Sequence, residues 1–489
     1  MQNRMLGYMA LLVWGVAALF LVGKAPYGLS EGAAKALVLD WSIGDQIASS
    51  VVTLGIPDMR ALLWLPLGFL WPGQLFAAKV FLVILLALTA RGLYLWRKSQ
   101  GQEEAALLAT GLMLIAPLTL QQLDSLSVGI PLVMLFVLGA WMDREYRKSP
   151  KPFGGMYFGQ MVVCAFSFSL HPAGLAYPLS LLWFWKKNPV SALQQKYFYV
   201  GVAVSVLLSI AIWQGWHGVS IWKGEIAPAA GVLFGPELES SAASVWAAAF
   251  MFTLTLIVLF RARMPDAFMN DLLGRTLMLA TVLGAVILDN AWGFLVLVMV
   301  LYGGLPILLK PRVWFMGKSF LVQRGWLWVL MFLVCLIFTQ GDRARYDQTK
   351  NHLLSLQDQL IETFAQNVEA LRSTAKEEEA TALRIRVASQ WPARTMIACR
   401  CDALPLPPAA KDAKGQLAMM KGLTHVVLNP RDETNIALVQ NLSQLGSEVE
   451  TVSLQPAGVI LKIRAPILAP LPQKPAEPSG PPSANNLVK

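Results

Sequence analysis

Four carboxylates, Glu31, Asp40, Asp45 and Asp58, follow soon after an apolar run that ends near Val22. A carboxylate at a membrane surface can act as a general base, taking a proton from a hydroxyl or an amine. Arg60 closes the same stretch, and a guanidinium can hold a phosphate in a two-pronged fork. Further along stand Asp124 in QQLD, His171 in LHPAG, and Lys223 and Glu225 in SIWKGEI. Each also has a plainer use. Glu31 suits the first turn of a helix, Asp124 the cap of the helix that follows it, and Arg60 an interface where its head reaches water. His171 suits a turn between two helices. Glu31 and Asp40 stand about 2.5 helical turns apart, which points them to opposite faces and argues against one carboxylate pair.

The elements that must position these groups are membrane helices. Of 489 residues, 55% are hydrophobic and 14% charged, against about 25% charged in soluble domains. Apolar runs recur over roughly the first 340 residues, long enough for about eleven spans. They are placed at 5–23, 76–96, 104–119, 126–142, 155–170, 173–185, 196–214, 244–261, 272–288, 291–309 and 325–340. The first lacks a clean cleavage site and reads as a retained helix. The segment 61–71, broken by Pro66, reads as a helix lying at the interface.

The net charge of +10 reports topology and not a nucleic acid. Its cations sit in short clusters between apolar runs, such as Arg97–Lys98, Arg147–Lys148, Lys186–Lys187 and Arg261–Arg263. That is the positive-inside pattern. Alternation then puts the N-terminus inside. Outside lie the loop 24–75, the turn at Asp124, the turn at His171, the loop 215–243 and everything after 341. In a Gram-negative cell this means the inner membrane, with the outer side periplasmic.

Residues 342–389 carry apolar positions at helical spacing, Leu353, Leu356, Leu360, Phe364, Val368 and Leu371, and read as one helical segment able to bind a protein partner. In 390–464 strand-like and helix-like pieces alternate: strands at 394–399, 424–428, 448–453 and 458–464, helices at 416–421 and 433–446. That pattern suggests a small periplasmic α/β domain. Residues 465–489 form a Pro-rich tail of disordered composition. Cys399 and Cys401 flank one residue, and read as two ordinary thiols or a labile bond.

The order of these parts resembles the GT-C superfamily of glycosyltransferases, which includes protein O-mannosyltransferases and the bacterial aminoarabinose transferases that modify lipid A. The first outer loop of that family opens on an acidic pair, matched here by Leu29-Ser30-Glu31-Gly32. It runs to a Pro-, Leu- and Trp-rich interfacial stretch entered by a basic residue, matched by DMRALLWLPL at 58–67. An Asp turn before a long apolar helix matches Asp124, LHPAGLAYPLSLLWFW matches a polar turn between two helices, and GLTHVVLNP at 422–430 matches the small outer domain. The likeness covers most of the chain and rests on the order and sidedness of its motifs.

The resemblance implies a polytopic α-helical membrane protein with a C-terminal α/β domain. It also implies an enzyme moving a sugar from a polyprenyl-phosphate donor to a glycan, lipid or protein acceptor. Catalytic carboxylates would come from Glu31, Asp40 and Asp124, and contacts to the donor phosphate from Arg60, His171 and Lys223. Ser30 stands where the family has its leading Asp. Three readings follow: Glu31 acts alone, Asp40 or Asp45 supplies the carboxylate, or the chain is a catalytically silent scaffold of an envelope complex. A divalent metal among the carboxylates stays open. A P-loop, zinc spacing and CxxC are lacking, and the histidines at 171, 217, 352 and 425 are scattered. A channel or transporter is disfavoured, because the spans hold almost no charge from which an ion path could be drawn.

Overall fold

Apolar runs without backbone partners in lipid fold as helices, which satisfy every N–H and C=O internally. In the computed structural model the described residues are 75–148, 150, 151, 153–187, 192–217, 271–284, 290–305, 312–315, 318–321, 356–374, 385–456 and 458–464, with 9, 11–19, 29, 34, 37, 38, 335, 336 and 340. Residues 11–19 are helical. The helices that follow are α1 (Leu75–Ser99), α2 (Glu103–Ile115), α3 (Pro117–Asp124), α4 (Gly129–Lys148), α5 (Gly155–Leu170), α6 (Ala176–Lys187), α7 (Ala192–His217), α8 (Leu272–Gly284) and α9 (Asn290–Met299). A π turn, Val300–Gly304, extends α9.

Among the described residues α1 alone is long and apolar enough to cross a membrane unaided, and the bent pair α2–α3 passes the same test jointly. The expected span 244–261, the interfacial stretch 61–71, part of 5–23 and most of 325–340 lie outside the described residues. One span expected to be continuous, 104–119, is broken. α2 and α3 meet at 52°. Pro117 disfavours the helical region for the residue before it, and Ala116 is accordingly extended (φ −71°, ψ 134°). Proline at the first position then starts α3, where its missing N–H costs nothing.

The helices interlock through glycines. A Cβ on Gly139 of α4 would overlap the ring of Tyr177 on α6, and one on Gly92 of α1 would sit 2.5 Å from Val137 of α4. At the turn after α5, a Cβ on Gly174 would collide with the backbone carbonyl of Ser167. The basic ends of α1, α4 and α6 are pinned by aromatic and charged groups. Trp185 Nε1 and Arg147 Nε each donate to Asp143 at 2.8 Å, and Arg147 stacks over Phe184. Trp96 Nε1 donates to Asp271 at 2.7 Å.

A hairpin of β1 (Arg312–Phe315) and β2 (Lys318–Leu321) lies in the expected inner connector. Beyond it, α10 (Leu356–Thr374) leads to the C-terminal sheet. In chain order this unit holds β3 (Arg386–Ser389), α11 (Pro392–Cys399), β4 (Asp402–Pro405), α12 (Ala413–Met419), β5 (His425–Leu428), α13 (Ile436–Ser443), β6 (Val449–Gln455) and β7 (Gly458–Ile463). The sheet order is β4-β3-β5-β7-β6, with β4, β3 and β5 parallel and β7 and β6 antiparallel additions. Two expectations change. The strand expected at 394–399 is helical, because Pro392 opens a first turn and Ala393, Met396 and Cys399 recur at helical spacing as buried positions. Of the helical segment expected over 342–389, Leu356–Thr374 is helix, 342–355 and 375–384 lie outside the described residues, and the last residues form β3, a short strand whose Val387, Ala388 and Ser389 are fully buried. Cys399 and Cys401 are joined in a disulfide with Cα atoms 5.2 Å apart.

Two tests follow. Gly174→Ala should lose roughly 2–3 kcal/mol, since the obstructing atom is backbone and cannot step aside. Gly111→Ala, where a Cβ meets nothing within 4 Å, should be neutral or gain up to about 1 kcal/mol of helix propensity. Thermal unfolding of both variants in detergent checks the contrast. The second concerns His425, which is buried beside the Phe364 ring and across from Lys462. Burial, with help from Lys462, lowers its pKa from 6.5 to about 4. The unfolded chain takes up a proton below 6.5 while the folded unit resists until about 4. Stability is therefore complete above 6.5 and falls as pH drops toward 4. The urea midpoint of the C-terminal unit, read by limited proteolysis, should decline over that window and stay flatter in His425→Leu.

Candidate functional site

Lys79 lies one turn into α1, on a face that also buries Leu75, Ala78, Leu82 and Val83. It is 0% exposed. A lysine inside an apolar helix is costly unless it meets a partner, and such residues mark functional sites in membrane proteins. Its partner is Asp124, the last residue of α3, with Nζ donating to Oδ1 at 3.4 Å. Asp124 is 8% exposed. The kink at Ala116–Pro117 redirects the chain so that α3 approaches the start of α1. Helix α4 begins only at Gly129, so Asp124 does not cap it as expected; it closes α3 and binds the lysine instead.

His171 follows α5 and is also fully buried. Its Nδ1 accepts from the Ala173 N–H at 3.1 Å and so caps the 3-10 turn Pro172–Leu175. That bond makes Nδ1 an acceptor and leaves Nε2 as the ring's donor nitrogen. Ser167 Oγ donates to the Gly174 carbonyl at 3.1 Å and braces the same turn.

Lys79, Asp124 and His171 share one end of the helical bundle. The link is the cluster of Val128, Leu170 and Ala291, which ties the start of α4, the end of α5 and the start of α9 together. Gln122 belongs to the same end: it is buried, and its side chain lies against Gly129, so that a Cβ there would be 2.5 Å from Oε1. The basic ends of α1 and α4, with Arg97, Lys98, Arg147 and Lys148, are at the opposite end of those helices. One end thus carries a buried cation–carboxylate pair and a buried histidine. Such a set can hold an anion at the ammonium, donate from an imidazole N–H, and keep the ammonium oriented by its carboxylate.

Of the residues singled out from the sequence, Asp124 and His171 are brought to this end. Glu31, Asp40, Arg60 and Lys223 lie outside the described residues, as do Ser30, Asp45 and Glu225. Among the described residues no three His, Cys, Asp or Glu side chains converge as a metal site. Lys79 went unrecognised in the sequence reading. Its signal was visible: a cation near the start of an apolar run.

No family model matches this chain, and no curated protein does. Solved structures match its fold. The crystal structure of ArnT from Cupriavidus metallidurans bound to undecaprenyl phosphate aligns with a TM-score of 0.53 and 12% identity, over 94% of this chain and 98% of that chain. The apo state of the same protein gives 0.52 and 12% over the same shares. At that identity the likeness is one of fold: the chain has the fold of ArnT. The expected resemblance holds at that level.

The pair is open to a direct test of coupling. Lys79→Met and Asp124→Leu should each destabilise by roughly 3–5 kcal/mol, because each removes one side of a buried ion pair. The double variant should recover much of the loss, giving a coupling of a few kcal/mol in a thermal double-mutant cycle. Additive losses would mean that the two charges do not depend on each other.

Proposed function

We propose that this chain is an inner-membrane glycosyltransferase. It takes a sugar from a polyprenyl-phosphate donor and passes it to an acceptor at the periplasmic face, with the N-terminus cytoplasmic and the C-terminus periplasmic. The observation that carries this reading is the buried Lys79–Asp124 pair at one end of a bundle with the ArnT fold. A neighbour with that fold binds undecaprenyl phosphate, and a buried ammonium is the chemistry that a lipid phosphate requires.

The reaction breaks the bond between the sugar and the phosphate oxygen. Negative charge grows on the departing polyprenyl phosphate, and Lys79 offsets it where water is scarce and electrostatics are strong. Asp124 holds the ammonium in place, acting as a positioning residue. Arg60, His171 and Lys223 are the further donors proposed for the phosphate, His171 through its Nε2–H. The base that accepts the proton from the acceptor is assigned to the first outer loop, to Glu31 or Asp40. Ser30 beside Glu31 favours one alternative, a catalytically silent scaffold that holds the lipid without turning it over.

Envelope glycan and lipid mass profiles of a deletion strain, complemented with variants, separate the two. An enzyme predicts a sugar lost on deletion, restored by the wild type, and reduced at least 100-fold by Lys79→Gln or Glu31→Gln at equal protein level. Profiles unchanged by the deletion would reject the enzyme reading.

A further inference from the structure

We propose that the Cys399–Cys401 disulfide is a thiol–disulfide exchange site that controls how helix α10 is held against the C-terminal sheet. Helix α10 docks through polar contacts toward its two ends. Near its start, Asp358 forms a buried ion pair with Arg394 of α11, and Gln357 accepts from the same guanidinium at 3.4 Å. At its end, Arg372 donates from Nη1 to the Cys399 carbonyl at 3.0 Å and from Nη2 to the Arg400 carbonyl at 2.8 Å.

The disulfide shapes the second anchor. It closes a loop around one residue, Arg400, which adopts a left-handed backbone (φ 49°) that non-glycine residues visit rarely. Arg400 is also the C-cap of α11. In this turn the carbonyls of two consecutive residues meet the two prongs of one guanidinium. A cross-link over so short a loop removes little entropy from the unfolded chain, so general stability is a weak reason for its presence. Holding the turn in the conformation that Arg372 reads is a stronger one.

Exchange needs a dithiol reductant. Its thiolate attacks one cystine sulfur and the S–S bond breaks. The other sulfur leaves as a thiolate that takes a proton. The second thiol of the reductant then displaces the first cysteine, which is also protonated. Two electrons pass to the protein, which gains two thiols while the dithiol becomes a disulfide. Both half-cystines are 4% exposed, so attack follows opening of the last turn of α11. Arg400, between them, is at the surface. Reduction frees Arg400 to leave the left-handed region, which withdraws the carbonyls from Arg372. The first anchor, Asp358–Arg394, is left in place.

Hydrogen–deuterium exchange on the full-length protein in detergent tests this, with dithiothreitol as the dithiol and alkylation mass counting the thiols. Reduction should expose two new thiols and speed exchange at least threefold in peptides ending at 374. Peptides at the start of α10 should keep their protection. Cys399→Ser/Cys401→Ser should behave like the reduced protein, and Arg372→Gln in the oxidised protein should loosen the same end. Three results would overturn the proposal: a disulfide that resists dithiothreitol in the folded protein, reduction that leaves the end of α10 unchanged, or loosening by Arg372→Gln that reduction does not reproduce.

Discussion

An ammonium buried among membrane helices must have an anion beside it, and that requirement organises one end of this protein. Lys79 is fully enclosed, and among the described residues α3 brings a carboxylate to it. For Asp124 to arrive there, the run 104–124 must bend, and Pro117 bends it. The short α3 must then lie against the start of α9, which the closeness of Gln122, Gly129 and Ala291 allows. Desolvating two charges weighs against the Coulomb attraction between them, so a buried pair is a poor source of stability. The proposed function gives the pair a use, because its ammonium offers hydrogen-bond donors held in a fixed place by Asp124.

The two ends of the bundle divide their tasks. At the basic end, charges are locked by several partners at once: Asp143 receives both Trp185 and Arg147, and Asp271 receives Trp96 and the first backbone N–H groups of α8. Such multiply bonded groups brace helices. At the other end, the polar groups sit on helix termini and turns: Asp124 closes α3 and His171 caps a 3-10 turn braced by Ser167. Fixed but terminal positions suit groups that meet a substrate entering from outside the bundle. On the proposed function, this terminal end is where the lipid phosphate would be held.

Much of this was legible in the sequence. The apolar run at 155–170 is α5 to the residue, and His171 is where the turn was expected. The alternation of elements in 390–464 gave the α/β character of the last unit. Other parts were hidden for physical reasons. Lys79 was masked by the apolar residues around it, since averaging over a span dilutes one charge. Asp124 looked like a cap because the sequence does not reveal that Ser125–Val128 separate it from the next helix. The piece at 394–399 is apolar enough for either structure, and Pro392 decided it. Strand β3 is only Arg386–Ser389, too short to show a period of its own after a long helical stretch. The link from Cys399 and Cys401 to Arg372 depends on a contact far along the chain, which spacing alone does not disclose.

The most direct measurement of the central claim is a structure of the protein with a polyprenyl phosphate bound. The account predicts the phosphate within about 3.5 Å of Lys79 Nζ, at the end of the bundle that carries Asp124 and His171, with Asp124 still paired to the lysine. A lipid phosphate seated elsewhere, with the Lys79–Asp124 pair closed and apart from it, would contradict the account.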